Sequence, residues 1–264
     1  MTALLSALIL LALLALLAFV WRLSRILRQH DENRQEDSRA LALREHVAQS
    51  LQALDLDRAD KLMIVAHPDD ETIWGGGHLL QDKGRYLVVC VTAGTDPVRD
   101  EELRKAMAIC DAQYLRLGFP DLDAMNKQDR WKTAGIDIRA TLANIMTARA
   151  WKTIVTHNPR GEYGHRHHKM TSRFVTSIFK RKIRHGDLYY FGVYYKPRYR
   201  KKLDRHQPLP DDIVATKTGK MLPVYASQSG PRKSYEHMFR YEDWLRHDRW
   251  NGFVILLRSR NIIP

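Results

Sequence analysis

Three short apolar runs, Leu62 to Ala66, Tyr86 to Thr92 and Thr153 to Thr156, are separated by segments with helical spacing. Runs this short and this uniformly apolar suit strands covered on both faces, which requires a sheet with helices packed against it. The spacing predicts helices over Gly75 to Lys83, Asp100 to Leu115 and Ile136 to Ala150, and Leu188 to Tyr195 reads as a further strand, rich in aromatic and branched residues. Strand-helix alternation of this kind gives an α/β fold with a parallel sheet and right-handed crossovers. In such sheets ligands collect beyond the carboxyl ends of the strands, so the polar residues that follow each strand carry the functional information.

Two clusters occupy those positions. Ala66-His67-Pro68-Asp69-Asp70-Glu71 follows the first strand directly. An imidazole and two carboxylates so close together suit a zinc ion, with Pro68 restricting the turn between them. Asp69 or Asp70 would serve equally as an ordinary cap of the next helix. The second cluster, Thr156 to Lys169, follows the strand TIVT and contains His157, Glu162, Tyr163, His165, His167 and His168. Surface imidazoles at a helix N-terminus are the ordinary reading of any one of these histidines. Side by side in a parallel sheet, however, the two strand ends let Asp70 and His168 share one ion. Two histidines and one aspartate leave a coordination position open, the catalytic rather than the structural arrangement.

Together these motifs resemble the LmbE-like deacetylases, which include the phosphatidylinositol-glycan class L enzymes and the deacetylases of mycothiol and bacillithiol synthesis. AHPDDE is followed about 90 residues later by GEYGHxxH. Arg99-Asp-Glu-Glu102 through Ala106, Leu117-Gly-Phe-Pro-Asp121 and Tyr225-Ala-Ser-Gln228 match further segments in order, so the resemblance runs from about Lys61 to Gln228. It implies a Rossmann-like, mostly parallel sheet flanked by helices, and a zinc-dependent amidohydrolase that removes acetyl from an N-acetylglucosamine-type sugar. It further implies that His67, Asp70 and His168 hold Zn²⁺, that Asp69 is the general base, and that His165 and Tyr163 act at the acyl oxygen. Arg99 corresponds to a substrate-contacting arginine and Asp121 lies near a sugar-binding aspartate. Without the resemblance, Arg99 would pair with Glu102 and Asp121 would be a turn residue. The chain departs from the family where many members have Pro-Asp between the two histidines, for here Arg166 and His167 stand instead. That leaves the charge state of His165 open. Gly75, Gly76 and Gly77 match no phosphate-loop pattern and read as close packing of a helix on the sheet.

Composition refines the organisation. At 264 residues the chain can bury a full core without disulfides, and its two cysteines, Cys90 and Cys110, exclude a disulfide scaffold and a four-cysteine zinc module. No charged residue occurs from Met1 to Trp21, and Arg22, Arg25 and Arg28 follow. About 20 apolar residues match the hydrocarbon thickness of a bilayer, and the basic flank predicts an N-terminal transmembrane helix over 1–21 with the N-terminus outside and the remainder cytoplasmic. Residues 22–59, charged and free of Gly and Pro, read as a helical linker, and 60–264 as the deacetylase domain.

Of the formal charge of +13, the stretch from Lys180 to Arg205 holds ten basic against two acidic residues, or +8. Tyrosines interleave with these cations, a pattern also found in single-strand nucleic-acid grooves. Beside an anchor, anionic lipid or a substrate phosphate is the more economical partner, and no nucleic acid is expected. The sequence therefore predicts a membrane-anchored zinc deacetylase acting on a lipid- or phosphate-linked sugar. The alternatives are an amidase of another small N-acyl conjugate and a non-catalytic, membrane-tethered binder of anionic lipid or nucleic acid.

Overall fold

The computed structural model describes residues 2–94, 96–123 and 125–252, and the chain divides into two compact units, Met1–Gln49 and Ser50–Pro264. The first unit is helix. Helix α1 spans Thr2–Gln52, and among the described residues no helix is long and apolar enough to cross a membrane. The transmembrane helix expected over 1–21 is corrected by this finding, and with it the single-pass placement that put the N-terminus outside and the domain in the cytoplasm. The physical reason is continuity. The helix does not stop at Trp21 but continues through Arg22, Arg25 and Arg28 into the charge-rich stretch beyond. The part of the expected anchor before Leu13 has side chains outside the described residues.

The second unit is built on a six-stranded sheet. Strands β1 (Lys61–Val65), β2 (Tyr86–Thr92), β3 (Gln113–Phe119), β4 (Thr153–Thr156), β5 (Asp187–Tyr190) and β6 (Leu245–Arg246) lie in the order β3-β2-β1-β4-β5-β6. The first five run parallel and only β6 is antiparallel, against β5. Leu62, Ile64, Val88 and Val89 are fully buried, as strands covered on both faces require. The connections carry α2 (Asp70–Gln81), α3 (Pro97–Cys110), α4 (Ala134–Thr147) and α5 (Arg166–Lys182). The strand order reverses between β1 and β4, which are neighbours in space and 92 residues apart in register, Lys61 opposite Thr153 up to Ile64 opposite Thr156. That reversal is the switch point at which an open α/β sheet leaves a crevice, and both sequence clusters emerge there.

Local chemistry sets the helix ends. Helix α3 starts where the Asp96 carboxylate accepts from the backbone N–H groups of Val98 and Arg99, with Pro97 in its first turn. It stops at Asp111, which adopts a left-handed φ of 57°. The helix expected over Asp100 to Leu115 therefore ends early, and Gln113–Phe119 is strand β3 instead. Helix α2 begins at Asp70, five residues before the expected Gly75. Its glycines serve close approach: a Cβ on Gly75 would lie 2.6 Å from Met63 Cε on the sheet. Cys90 and Cys110 are both free and buried.

After β5 the chain forms short helical turns, among them α6 (Asp211–Thr216) and α7 (Leu222–Val224), that return across α2 and α3. Buried polar pairs hold this return. Tyr225 Oη donates to Glu71 Oε1, and the Ser227 amide and hydroxyl donate to Glu102 at 2.8 and 2.6 Å. The matched segments at Glu102 and Tyr225–Gln228 are thus one contact, with Glu102 engaged by Ser227 rather than by Arg99.

Candidate metal centre

The end of β1 delivers His67, Asp69 and Asp70 into the crevice. Asp69 occupies the residue before α2, the position a cap would take, but its side chain makes no capping hydrogen bond and its φ is 119°. A non-glycine residue at such a φ is strained and persists only where its surroundings hold it. Glu71 does so by accepting the Asp69 N–H at 3.0 Å, while Thr72 and Tyr225 hold the other Glu71 oxygen. The outcome is a buried carboxylate with no structural employment. Burial, followed by the neighbouring charges of Asp70 and Glu71, pushes the Asp69 carboxyl well above the usual range. Asp70 is shifted oppositely. Burial opposes its ionisation, yet the imidazoles of His168 and His157 hold it well below the usual carboxylate range.

The end of β4 and the start of α5 bring the second cluster to meet the first. Asp70 lies between the two histidines, its Oδ2 3.1 Å from His67 Nδ1 and its Oδ1 3.2 Å from His168 Nε2. His168 Nδ1 donates to Glu162 Oε2 at 2.6 Å, which orients the ring with Nε2 aimed at Asp70. That Nε2 is buried and has no hydrogen-bond partner. A carboxylate behind an imidazole whose far nitrogen is orphaned is the usual support of a metal-ligating histidine. The donor set therefore fits a divalent metal. Ligand atoms also converge within 4.8 Å in the sets His67, His165 and His168, His67, Asp121 and His167, and Asp70, His157 and His168.

Glu162, His157 and His167 had no role assigned from sequence, although all three stand inside the second cluster. Glu162 Oε2 also binds His157 Nδ1 at 3.0 Å, and its Oε1 accepts the Asn158 N–H at 2.9 Å. His157 Nε2 in turn accepts the Ala66 N–H at 2.9 Å, tying the ends of β4 and β1 together. His167, in place of the family's aspartate, stacks on Trp131 with ring centroids 4.1 Å apart. Its Nε2 donates to the Asp129 carbonyl at 2.8 Å, and its Nδ1 lies 3.1 Å from His67 Nε2. His167 thus faces His67 and leaves His165 to another partner, Gln128, whose Nε2 is 2.8 Å from His165 Nε2. Burial, then the charges of His168 and His67, lower His165 to about 3, so its imidazole is neutral.

Arg99 and Asp121 meet at this site. Arg99 Nη1 donates to Asp121 Oδ2 at 3.1 Å, and Nη2 donates to the Pro68 carbonyl at 3.3 Å. Asp121 Oδ1 lies 3.3 Å from His67 Nε2. Tyr163 is half-exposed at the rim, its ring 5.5 Å from that of His168 and 5.8 Å from that of His165. All eight residues singled out from sequence thus surround one crevice, with Tyr163 on its outer wall.

Residues 62–179 match the family model described as PIG-L, GlcNAc-PI de-N-acetylase. The motifs that resemble the deacetylases in the sequence thus fall largely within a match to the PIG-L family. Both clusters and all but the last three residues of helix α5 lie inside the matched segment. The uncharacterized protein L374 of Acanthamoeba polyphaga mimivirus is 31% identical over 137 residues, which are 46% of this chain and 58% of that protein. A 1D-myo-inositol 2-acetamido-2-deoxy-alpha-D-glucopyranoside deacetylase of Segniliparus rotundus is 28% identical over 165 residues, 48% of this chain and 52% of that protein. The chain thus spans about half the length of the curated relatives it matches. Among solved structures, the A40926 pseudoaglycone deacetylase Dbv21 shares the fold, with a TM-score of 0.50 at 18% identity, covering 69% of this chain and 87% of that one.

Proposed function

We propose that the protein is a metal-dependent deacetylase that hydrolyses the acetamide of an N-acetylglucosamine-type sugar. The observation that carries the reading is the His67–Asp70–His168 arrangement with an orphaned imidazole nitrogen, next to a strained and uncapped Asp69. The match of residues 62–179 to the PIG-L family and the similarity to a sugar deacetylase support it. The expected lipid linkage was argued from a membrane anchor, and it falls with that anchor.

In this reading His67, Asp70 and His168 hold the metal, and zinc suits two imidazoles and one carboxylate. When bound, the ion supplies Lewis-acid polarisation of an acyl oxygen and acidifies water in the site. The chain's own groups do the rest. Asp69 takes a proton from the attacking water as its oxygen bonds to the acyl carbon, and returns it to the nitrogen as the C–N bond breaks, giving acetate and an amine. The neutral His165 ring and the Tyr163 hydroxyl stand where they can donate to the developing oxyanion, a service worth roughly 10²–10³ in rate per donor in such sites. The Arg99–Asp121 pair, fixed on the Pro68 carbonyl, offers charged hydrogen-bonding groups for sugar hydroxyls.

The test is release of amine from a panel of N-acetylglucosaminides and unrelated N-acyl amines by the full chain, with zinc and after chelation. Turnover confined to the sugars and abolished by chelator is expected. Turnover of other N-acyl amines alone would favour the amidase alternative, and no turnover of any member would remove the reading.

A further inference from the structure

The basic segment read from sequence does not act as a unit in the folded chain. Lys180, Arg181 and Lys182 close the last turn of α5, whereas Lys196 and Arg198 turn toward the site. They line a cavity of about 880 Å³ together with Arg160 and Lys169, from the β4–α5 loop and α5. Four cations from separate parts of the chain thus converge on one concave surface. None of the four is ion-paired among the described residues. Glu162, the acidic residue in the wall, is spent on His157 and His168.

The cavity adjoins the candidate metal centre through Glu162 and Tyr163. Tyr163 lines it, and its ring stands 5.5 Å from that of His168 on one side and 6.3 Å from that of Tyr194, another lining residue, on the other. A molecule with its acetamide at the imidazoles can therefore place a neighbouring substituent against the cations. Uncompensated cations lining a hollow attract anions, and clustered Lys and Arg with several donors each suit phosphate oxygens better than a single carboxylate. Tyr194 and Tyr199 add aromatic wall, with the Arg198 guanidinium 4.8 Å above the Tyr199 ring.

We infer that Arg160, Lys169, Lys196 and Arg198 form a subsite for a phosphate group carried by the sugar substrate. The inference rests on the deacetylase reading for the identity of the attached sugar, but not for the binding of phosphate itself. The same chemistry is offered by a soluble sugar phosphate and by a phospholipid headgroup, and the experiment separates them.

The full chain, loaded with zinc, is assayed on N-acetylglucosamine 1-phosphate and on the methyl glycoside of N-acetylglucosamine. A preference of about tenfold or more in kcat/KM for the phosphate is expected, equivalent to one good charged contact. It should fall as salt rises and collapse toward unity in the double variant Lys196→Ala, Arg198→Ala. Arg104→Ala, which removes a distant surface cation, should keep the preference. Equal turnover of the two sugars would overturn the subsite and leave the deacetylase reading standing. Were neither sugar turned over, protection of Lys196 from acylation by inorganic phosphate would still support the subsite, and its absence would overturn it. Vesicles of phosphatidylglycerol that compete with the sugar phosphate, and lose this effect in the double variant, would assign the source to a lipid headgroup. Vesicles without effect would assign it to a soluble phosphate.

Discussion

Helix α2 carries a buried charged cluster at each end, and the two differ in how completely they are satisfied. At its N-terminus stand Asp69 and Asp70 with the histidines. Further along, Glu242 and Lys217 are both fully buried. Glu242 Oε1 accepts from Gly77 N–H at 2.7 Å and Lys217 Nζ at 2.5 Å, and Oε2 accepts from His78 N–H at 3.0 Å and His78 Nδ1 at 2.7 Å. Lys217 also donates to the Ile73 carbonyl at 2.9 Å, and Trp244 Nε1 donates to the Trp74 carbonyl at 3.0 Å. These backbone groups are the i and i+4 partners of one helical turn, so the returning chain is fastened to the turn's own polar groups. Every oxygen in this cluster has a donor, whereas the cluster at the N-terminus keeps an orphaned imidazole nitrogen and an uncapped carboxylate. Satisfied burial specifies the fold, and unsatisfied burial leaves room for a ligand.

The largest expected contrast is in turnover. Asp69→Asn should lower kcat by about 10²–10⁴, the usual contribution of a general base, while zinc stoichiometry and thermal midpoint stay near wild type. The residue caps nothing, so the fold has little to lose. A variant that retains turnover would remove Asp69 as the base.

At the other end the order of effects inverts. Glu242→Ala strands a buried lysine and should cost about 3–5 kcal/mol in denaturant unfolding. The double change Lys217→Met, Glu242→Leu removes both charges and should recover much of that loss. A double variant as unstable as the single would mean that the helix-backbone contacts of Glu242, and not charge pairing, dominate.

Acid titration sharpens the same point. Burial alone would raise the Glu242 carboxyl, but Lys217 and His78 bring it down to about 2 from 4.5. A carboxylate depressed in the folded state stabilises above its unfolded pKa, and that stability is lost as pH falls through the folded value. Wild type should therefore lose about 3 kcal/mol more than Glu242→Gln between about pH 4.5 and 2. Lys217 is itself lowered, burial exceeding the attraction of Glu242. Its contribution has the opposite sense, a cost that disappears at alkaline pH as the ammonium deprotonates. Parallel acid limbs for the two proteins would show that Glu242 is not ionised through the pair.

These two ends were unequally legible in the sequence. The metal-centre residues sit in two contiguous runs at strand ends, where alternation and residue type together single them out. Lys217 and Glu242 are 25 residues apart and meet α2 at Ile73, 144 residues before Lys217, with no periodic pattern to join them. Strand β3 was read as the end of a helix because QYL continues the apolar spacing of the preceding helix, and only the left-handed Asp111 interrupts it. The apolar N-terminal run reads as a membrane span from its length and its basic flank, whereas the helix of which it is part continues through those arginines to Gln52. Glu162 was visible but silent: a glutamate beside a tyrosine in a loop acquires meaning only when folding places it behind two imidazoles.

That residue supplies the finest test. Glu162 accepts from His168 and His157 with one oxygen and from Asn158 N–H with the other, so it orients a proposed ligand without being one. Glu162→Gln keeps the shape but weakens acceptance from two imidazoles, and removal of such a support typically costs 10–100-fold in metal affinity. Competition with a chromophoric chelator should show that loss for zinc. Asp121→Asn should show less, because Asp121 is shared with Arg99 and touches His67 from the side away from Asp70. Equal losses in the two variants would place the metal nearer to His67 Nε2 than to His168 Nε2. The centre would then rest on the set His67, Asp121 and His167, and the orphaned nitrogen of His168 would need another occupant.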